Sequence, residues 1–355
     1  MKINHSQFVF AREYRGMNQT ELAKKVIGLS QSNLSKFEKG LEVLSEEVIR
    51  NIVHVLDFPL AFFEKRICND VDSAHYRSRS SITKRIRVQL ESNNKLLGYL
   101  VDRLNESVDF PDFSLISLDV EDYTPEYIAG YTRKLLGLKR DEAVIDIFYL
   151  LESSGIVVIE FDAISDKFDG VSFKTDNGIP IIIINKNFSN DRKRFSLAHE
   201  LGHLLMHIIG DFPIPSYRNE KEKENEANRF AAEFLMPAQD IEKSLHGLRL
   251  SYLASLKKYW HTSKQSIIRR AKDLNCIDSE RARYFMIELS RMGERKHEKT
   301  LVNIDKPVIF KNAYELHKEE LNYTDEELGK AFSLPNDIIK KYLNFSDSAK
   351  LKIVM

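Results

Sequence analysis

In the run Phe195-Ser196-Leu197-Ala198-His199-Glu200-Leu201-Gly202-His203-Leu204-Leu205-Met206-His207, two histidines and a glutamate have the spacing HExxH. On an α-helix, residues four apart project from one face, one turn apart. His199 and His203 can therefore hold one divalent ion between two neutral imidazoles, leaving room for a third ligand and a water. Glu200, one residue on, can take a proton from that water. The chemistry is metal-assisted hydrolysis, with zinc (Zn2+) as the cofactor and Glu200 as the catalytic base. The bland reading of the bare pattern is two histidines on a solvated helix.

A second run bears on that choice. Twenty residues separate His203 from Glu224-Asn225-Glu226-Ala227-Asn228-Arg229-Phe230-Ala231-Ala232-Glu233-Phe234-Leu235-Met236-Pro237. Stepped round a helix at about 100° per residue, Glu224 falls in an arc with Ala227, Asn228, Ala231, Phe234 and Leu235. Glu222, Glu226 and Glu233 fall opposite and read as surface. An ionised carboxylate on an apolar face is costly unless paired or bound to metal, so Glu224 is the expected third ligand. Asn228, one turn later, can hydrogen-bond a ligand from behind. Ala227 and Ala231 allow the two helices to approach closely. His207 continues the spacing, but it lies about 12 Å along the axis from His199, against Zn–N bonds of about 2 Å. It reads as a core histidine or as a support to a ligand. Oxyanion charge would need a side-chain donor besides the metal, and Tyr217 and His207 both qualify.

The elements that must position these residues follow from composition and pattern. With 355 residues, 43% hydrophobic and 30% charged, the chain suits two or three globular domains. The formal net charge is zero, so any DNA binding must come from a local patch. No apolar run approaches the ~18 residues of a membrane helix, and the first residues do not read as a signal peptide. Cys68 and Cys276 match no metal spacing and read as reduced thiols, which points to the cytoplasm.

Residues 5–66 read as a helical bundle. Asn18-Gln19-Thr20-Glu21 is a helix start, followed by a helix Gln19–Val26. Ser30 caps a second, Gln31–Lys39, closed by Gly40. Two short helices joined by a tight turn are the plan of a helix-turn-helix. Gln31, Ser32, Asn33, Ser35 and Lys36 offer polar groups to base edges and phosphates of double-stranded DNA, and Val48–Phe63 supplies a further helix. The segment resembles the phage-repressor-like (XRE) DNA-binding family through Arg12, Gln19-x-x-Leu22-Ala23 and Ser30-Gln31-Ser32-x-Leu34-Ser35-Lys36-x-Glu38-x-Gly40. That resemblance implies an Arg12–Glu38 pair. Val26-Ile27-Gly28-Leu29-Ser30 is one residue longer than the usual turn and could re-aim the second helix.

Residues 67–82 read as a linker, followed by a helix Ile82–Leu104. His75, Arg77, Arg79, Lys84, Arg85 and Arg87 are basic enough to extend a phosphate footprint. Helices are expected at Thr124–Leu136 and Asp141–Ser153. Three strands follow: Ile156–Phe161, Val171–Lys174 and Ile179–Ile184. Asp176-Asn177-Gly178 makes a hairpin turn, and Pro180 lies near the start of the third strand, where an edge strand tolerates it, with the free strand left open. An edge strand next to the site could take an extended peptide. After Pro237 the chain is helical over Tyr252–Tyr259, Ser263–Leu274 and Asp278–Arg291. A polar loop spans 292–307, and a helix pair, Thr324–Ala331 and Pro335–Leu343, reads as a packing or dimer module.

The stretch from about 120 to 250 resembles the ImmA/IrrE family of metallopeptidases, carried by Arg194–His207 and Glu224–Pro237. The resemblance implies a gluzincin-like site: His199, His203 and Glu224 on zinc, Glu200 as base. It also implies a repressor-like protein as substrate, in a stress or mobile-element response. The fold expected is mainly α with a small β-sheet (α+β), divided as helix-turn-helix bundle 1–66, linker and basic helix 67–118, zincin-like metallopeptidase core 119–250 and C-terminal helical region 251–355, with no membrane association and a possible homodimer. Two other readings stand beside this one: a regulator whose peptidase-like domain is a sensor with little or no proteolysis, and an antitoxin-like protein acting through a partner.

Overall fold

A computed structural model describes residues 3–65, 67, 83–139, 141–163, 168–210, 219–295 and 297–343. Its helices are α1 His5–Tyr14, α2 Gln19–Lys25, α3 Gln31–Glu38, α4 Glu46–Leu56, α5 Lys84–Asn105, α6 Pro125–Leu135, α7 Ile147–Ser153 and α8 Asn190–His203. They continue with α9 Glu220–Leu235, α10 Ala238–Leu245, α11 Leu253–Trp260, α12 Lys264–Asp273, α13 Ser279–Arg291, α14 Ile309–Glu319, α15 Asp325–Phe332 and α16 Asn336–Leu343. The strands are β1 Val157–Phe161, β2 Gly170–Lys174 and β3 Pro180–Asn185. The fold is mainly α with one small sheet. None of the described helices is long and apolar enough to cross a membrane.

The chain divides into two compact units, one holding the described parts of Met1–Asn69, Thr83–Asp109 and Ile309–Met355, the other those of Phe110–Val308. The region 251–355 is thus split between them. In the first unit, Asn18 and Glu21 form a capping box at the start of α2, and Ser30 caps α3 through the Asn33 amide. Val26 and Leu29 stay buried, while Ile27 is 89% exposed and Gly28 is left-handed, φ +79°. The extra turn residue is thus absorbed as an outward bulge. A single helix from Val48 to Phe63 does not form. Asp57 turns left-handed at φ 54° and Pro59 has no N–H to donate, so α4 stops and a 3₁₀ turn, Leu60–Glu64, follows. Phe62 and Phe63 are nonetheless fully buried. The last three helices seal this unit: Asp337 pairs with Arg15 at 2.6 Å, and Tyr99 donates to the Phe332 carbonyl at 2.7 Å.

In the second unit the sheet order is β1-β3-β2. β1 runs parallel to β3 and β2 antiparallel to it. The strand with Pro180 is therefore central, not an edge. All six residues of β3 are buried, as a run with apolar side chains on both faces demands. Pro180 is its first residue, where a missing N–H costs no ladder bond. The helix expected over 141–153 begins only at Ile147, because the carbonyls of Val144 and Ile145 turn inward to the buried Arg194 guanidinium. The polar loop 292–307 carries structure in its carboxylates. Asp305 accepts from the first amides of α7, and Glu298 with Asp191 holds the buried Lys257 ammonium at 2.9 and 2.7 Å.

Candidate metal centre

α8 lies on β2 and β3 with Leu197 and Leu201 fully buried beneath it, and α9 packs against its outer side. The helix pair comes close because Gly202 faces Phe230: a Cβ at 202 would stand 3.0 Å from the ring. Ala227 and Ala231, both fully buried, complete the seam. This approach brings the ligand atoms together. His199 Nε2 lies 3.1 Å from His203 Nε2. Glu224 places one carboxylate oxygen 3.5 Å from His199 Nε2 and the other 3.7 Å from His203 Nε2.

Two nitrogens each about 2 Å from a tetrahedral ion stand roughly 3.3 Å apart. The donor set and its spacing therefore fit zinc. Burial pushes the Glu224 carboxyl up, but the two imidazoles outweigh it and hold the group below the usual carboxylate range. An ionised carboxylate is the form a metal requires.

Glu200 turns the other way, toward the sheet. It is 8% exposed and accepts the Ser172 hydroxyl at 2.8 Å. Gly170 leaves room for it: a Cβ there would meet Glu200 Oε1 at 3.3 Å. β2 thus seats the proposed base from its own edge, and on its other side, among the described residues, it pairs with no further strand.

Beyond His203 the helix widens. Leu204–Ile208 is a π turn, with the Ile209 amide donating to the Leu204 carbonyl at 2.9 Å. His207 is carried inward, its Nδ1 3.0 Å from His203 Nδ1 and its Nε2 2.9 Å from Glu226 Oε2. Both His207 nitrogens thus face partners inside the protein, His203 and Glu226. Tyr217, the other candidate oxyanion donor, lies outside the described residues. Glu226 and Glu233, read from the helix wheel as surface, are corrected here. Glu226 meets His207, and Glu233 pairs with Arg270. The wheel assigns a side to a residue, but it does not know that neighbouring elements cover that side too. Glu222 does face solvent, in the capping box of α9. Asn228 is half-buried and hydrogen-bonds none of the ligands; it lines a cavity of about 770 Å³ with Phe195, Asn225, Arg229, Gln265 and Ser266.

Glu242, His246 and Cys276 form a second converging group. Residue spacing gave no sign of it, because the thiol comes from the turn after α12 and the other two from the end of α10. The His246 imidazole is 65% exposed, and burial pushes the Cys276 thiol up.

On the helix-turn-helix, Arg12 grips Glu38 through two hydrogen bonds, 2.6 and 3.0 Å. Gln19 bridges Glu38 and Gln31, at 2.7 and 2.8 Å. Gln31, Ser32 and Lys36 are exposed, while Asn33 and Ser35 are half-buried. Of the basic stretch, His75, Arg77 and Arg79 lie outside the described residues. Arg85 is exposed and reaches Glu21 at 3.3 Å.

Residues 151–272 match the peptidase family model described as the IrrE N-terminal-like domain, and residues 11–63 match the model described as Helix-turn-helix. The chain thus joins an ImmA/IrrE-type, metallopeptidase-like domain to an XRE-type helix-turn-helix of the kind that binds DNA. A comparison with curated proteins finds no match.

Proposed function

We propose that this protein is a DNA-binding transcriptional regulator with a zinc-dependent endopeptidase in the same chain, acting on a repressor-like protein. The convergence of His199, His203 and Glu224 beside a separately seated Glu200 carries this reading. Zinc, when bound there, supplies Lewis acidity that acidifies water and polarises a carbonyl. Glu200 then takes the proton of the attacking water and passes it to the leaving amine. The Ser172 hydroxyl holds Glu200 Oε2 at 2.8 Å, which aims the carboxylate without neutralising it. An extended substrate can add alongside β2 by main-chain hydrogen bonds, and the cavity beside Phe195 and Asn228 can receive one of its side chains.

The test uses the full chain co-expressed with an XRE-type repressor, as wild type and as Glu200→Gln. Zinc content is expected to match in the two, with cleavage only in the wild type. Full cleavage by Glu200→Gln removes the assignment. Unchanged regulation of a reporter by that variant favours the sensor reading instead.

A further inference from the structure

The structure joins four side chains in one line: Glu224, His203, His207 and Glu226. Their hydrogen-bond parity determines which atom carries each proton. A neutral imidazole has one N–H and one lone pair. His203 Nε2 faces His199 Nε2 and the Glu224 carboxylate, so its lone pair belongs to the metal position. Its proton therefore sits on Nδ1, 3.0 Å from His207 Nδ1. That second nitrogen must accept, which leaves the His207 proton on Nε2. Nε2 in turn lies 2.9 Å from Glu226 Oε2, a carboxylate ready to accept. With a metal on His203, one tautomer of each ring satisfies all these contacts.

We propose that Glu226 is a positioning residue for the metal centre, fixing the tautomer and tilt of His203 through His207. The proposal rests on the zinc reading above. His203 and His207 side chains are 0% and 1% exposed, and Glu226 is 14% exposed. The orientation of the inner ring is therefore set by protein groups. The π turn gives His207 its place: four residues after His203, on a widened turn, the ring centroids stand 5.1 Å apart. Glu226 lies two residues past Glu224, so α9 supplies both a ligand to the ion and the anchor of another ligand's ring. Partners of metal-bound histidines typically affect affinity by roughly 10–100-fold.

The test measures zinc affinity of the full chain by competition with a chromophoric chelator, and the visible spectrum of the cobalt-substituted protein. Glu226→Ala and His207→Phe are each expected to weaken zinc binding by roughly 10–100-fold and to shift the cobalt bands. The double variant is expected to bind no more weakly than His207→Phe, because Glu226 acts only through that ring. Glu226→Gln fills the same space with a weaker acceptor and loses less affinity, which guards against a variant that does not fold. Wild-type zinc affinity in both Glu226 variants overturns the proposal, as does a double variant whose losses multiply. If the wild type and His199→Ala take up zinc equally, the zinc reading itself fails. Tight wild-type binding that His199→Ala abolishes and Glu226→Ala leaves unchanged removes this inference alone.

Discussion

Glu200 and Glu224 are two carboxylates beside one cluster of histidines, and their neighbours differ. Glu224 faces two imidazoles that hold it ionised. Glu200 faces a hydroxyl and the backbone around Gly170, and on the proposed reading it is the carboxylate that takes a proton. If Ser172 aims Glu200, Ser172→Ala keeps all three ligand atoms and loses one hydrogen bond to a charged group, worth about 1.5–3 kcal/mol. kcat is then expected to fall by about tenfold or more, with zinc content unchanged by metal analysis. A variant with normal kcat would show that Ser172 only fills space. On the DNA side, Lys36 is the exposed cation of α3. Lys36→Ala is expected to weaken operator and non-operator DNA alike and to lower the salt slope of binding by about 1. An unchanged slope in a salt titration would take Lys36 off the phosphates.

At the scale of elements, the centre depends on the distance between α8 and α9. Gly202→Ala puts a methyl 3.0 Å from the Phe230 ring, and overpacking of this kind costs about 1–3 kcal/mol. The helices must part for it. The expectation is both a lower midpoint in urea and weaker zinc binding; normal values for both would show that Phe230 yields without moving α9. The Lys257 knot is a second such support, tying α8 to α11 and to the 292–307 loop. Lys257 is 3% exposed at its side chain, between Asp191 and Glu298 at 8% and 7%. Lys257→Met leaves two buried carboxylates without their cation, at about 3–5 kcal/mol. Burial raises the Asp191 carboxyl, but Lys257, together with the Ser189 hydroxyl and the Arg192 amide, outweighs this and holds it below its ordinary 3.8. Its stabilisation is thus present above about pH 4 and lost as pH falls through the lowered value. In the variant the sign reverses, since protonation relieves the buried charges. The gap between wild type and Lys257→Met should therefore narrow in acid, and a constant gap from pH 7 to pH 3 would contradict the pairing.

At the scale of the whole molecule, two units share one chain. The first is built from both ends of the sequence, since α14–α16 close over α1 and α5 through Arg15–Asp337 and Tyr99–Phe332. If those contacts hold the helix-turn-helix bundle together, truncation after Val308 exposes its core. Such a chain is expected to lose cooperative unfolding of that bundle and with it DNA binding, measured by calorimetry and gel shift. Full DNA affinity in the truncated chain would make the C-terminal helices dispensable.

The sequence by itself marked out the side chains that converge, His199, His203 and Glu224, the neighbouring Glu200 and the helix pair α2–α3. Each rests on local periodicity: four residues make one helical turn for His199 and His203, and caps at Asn18 and Ser30 start helices wherever they occur. Glu224 stands out because a carboxylate among alanines and phenylalanines needs a partner. Tertiary structure alone decided the rest. The central place of β3 follows from burial on both faces, which outweighs the edge signal of Pro180 when the proline stands first in its strand. The start of α7 was set by a guanidinium about fifty residues away in sequence. The Glu226–His207–His203 line needed a π turn and a facing helix at once, and no single-element periodicity contains the distance between two elements.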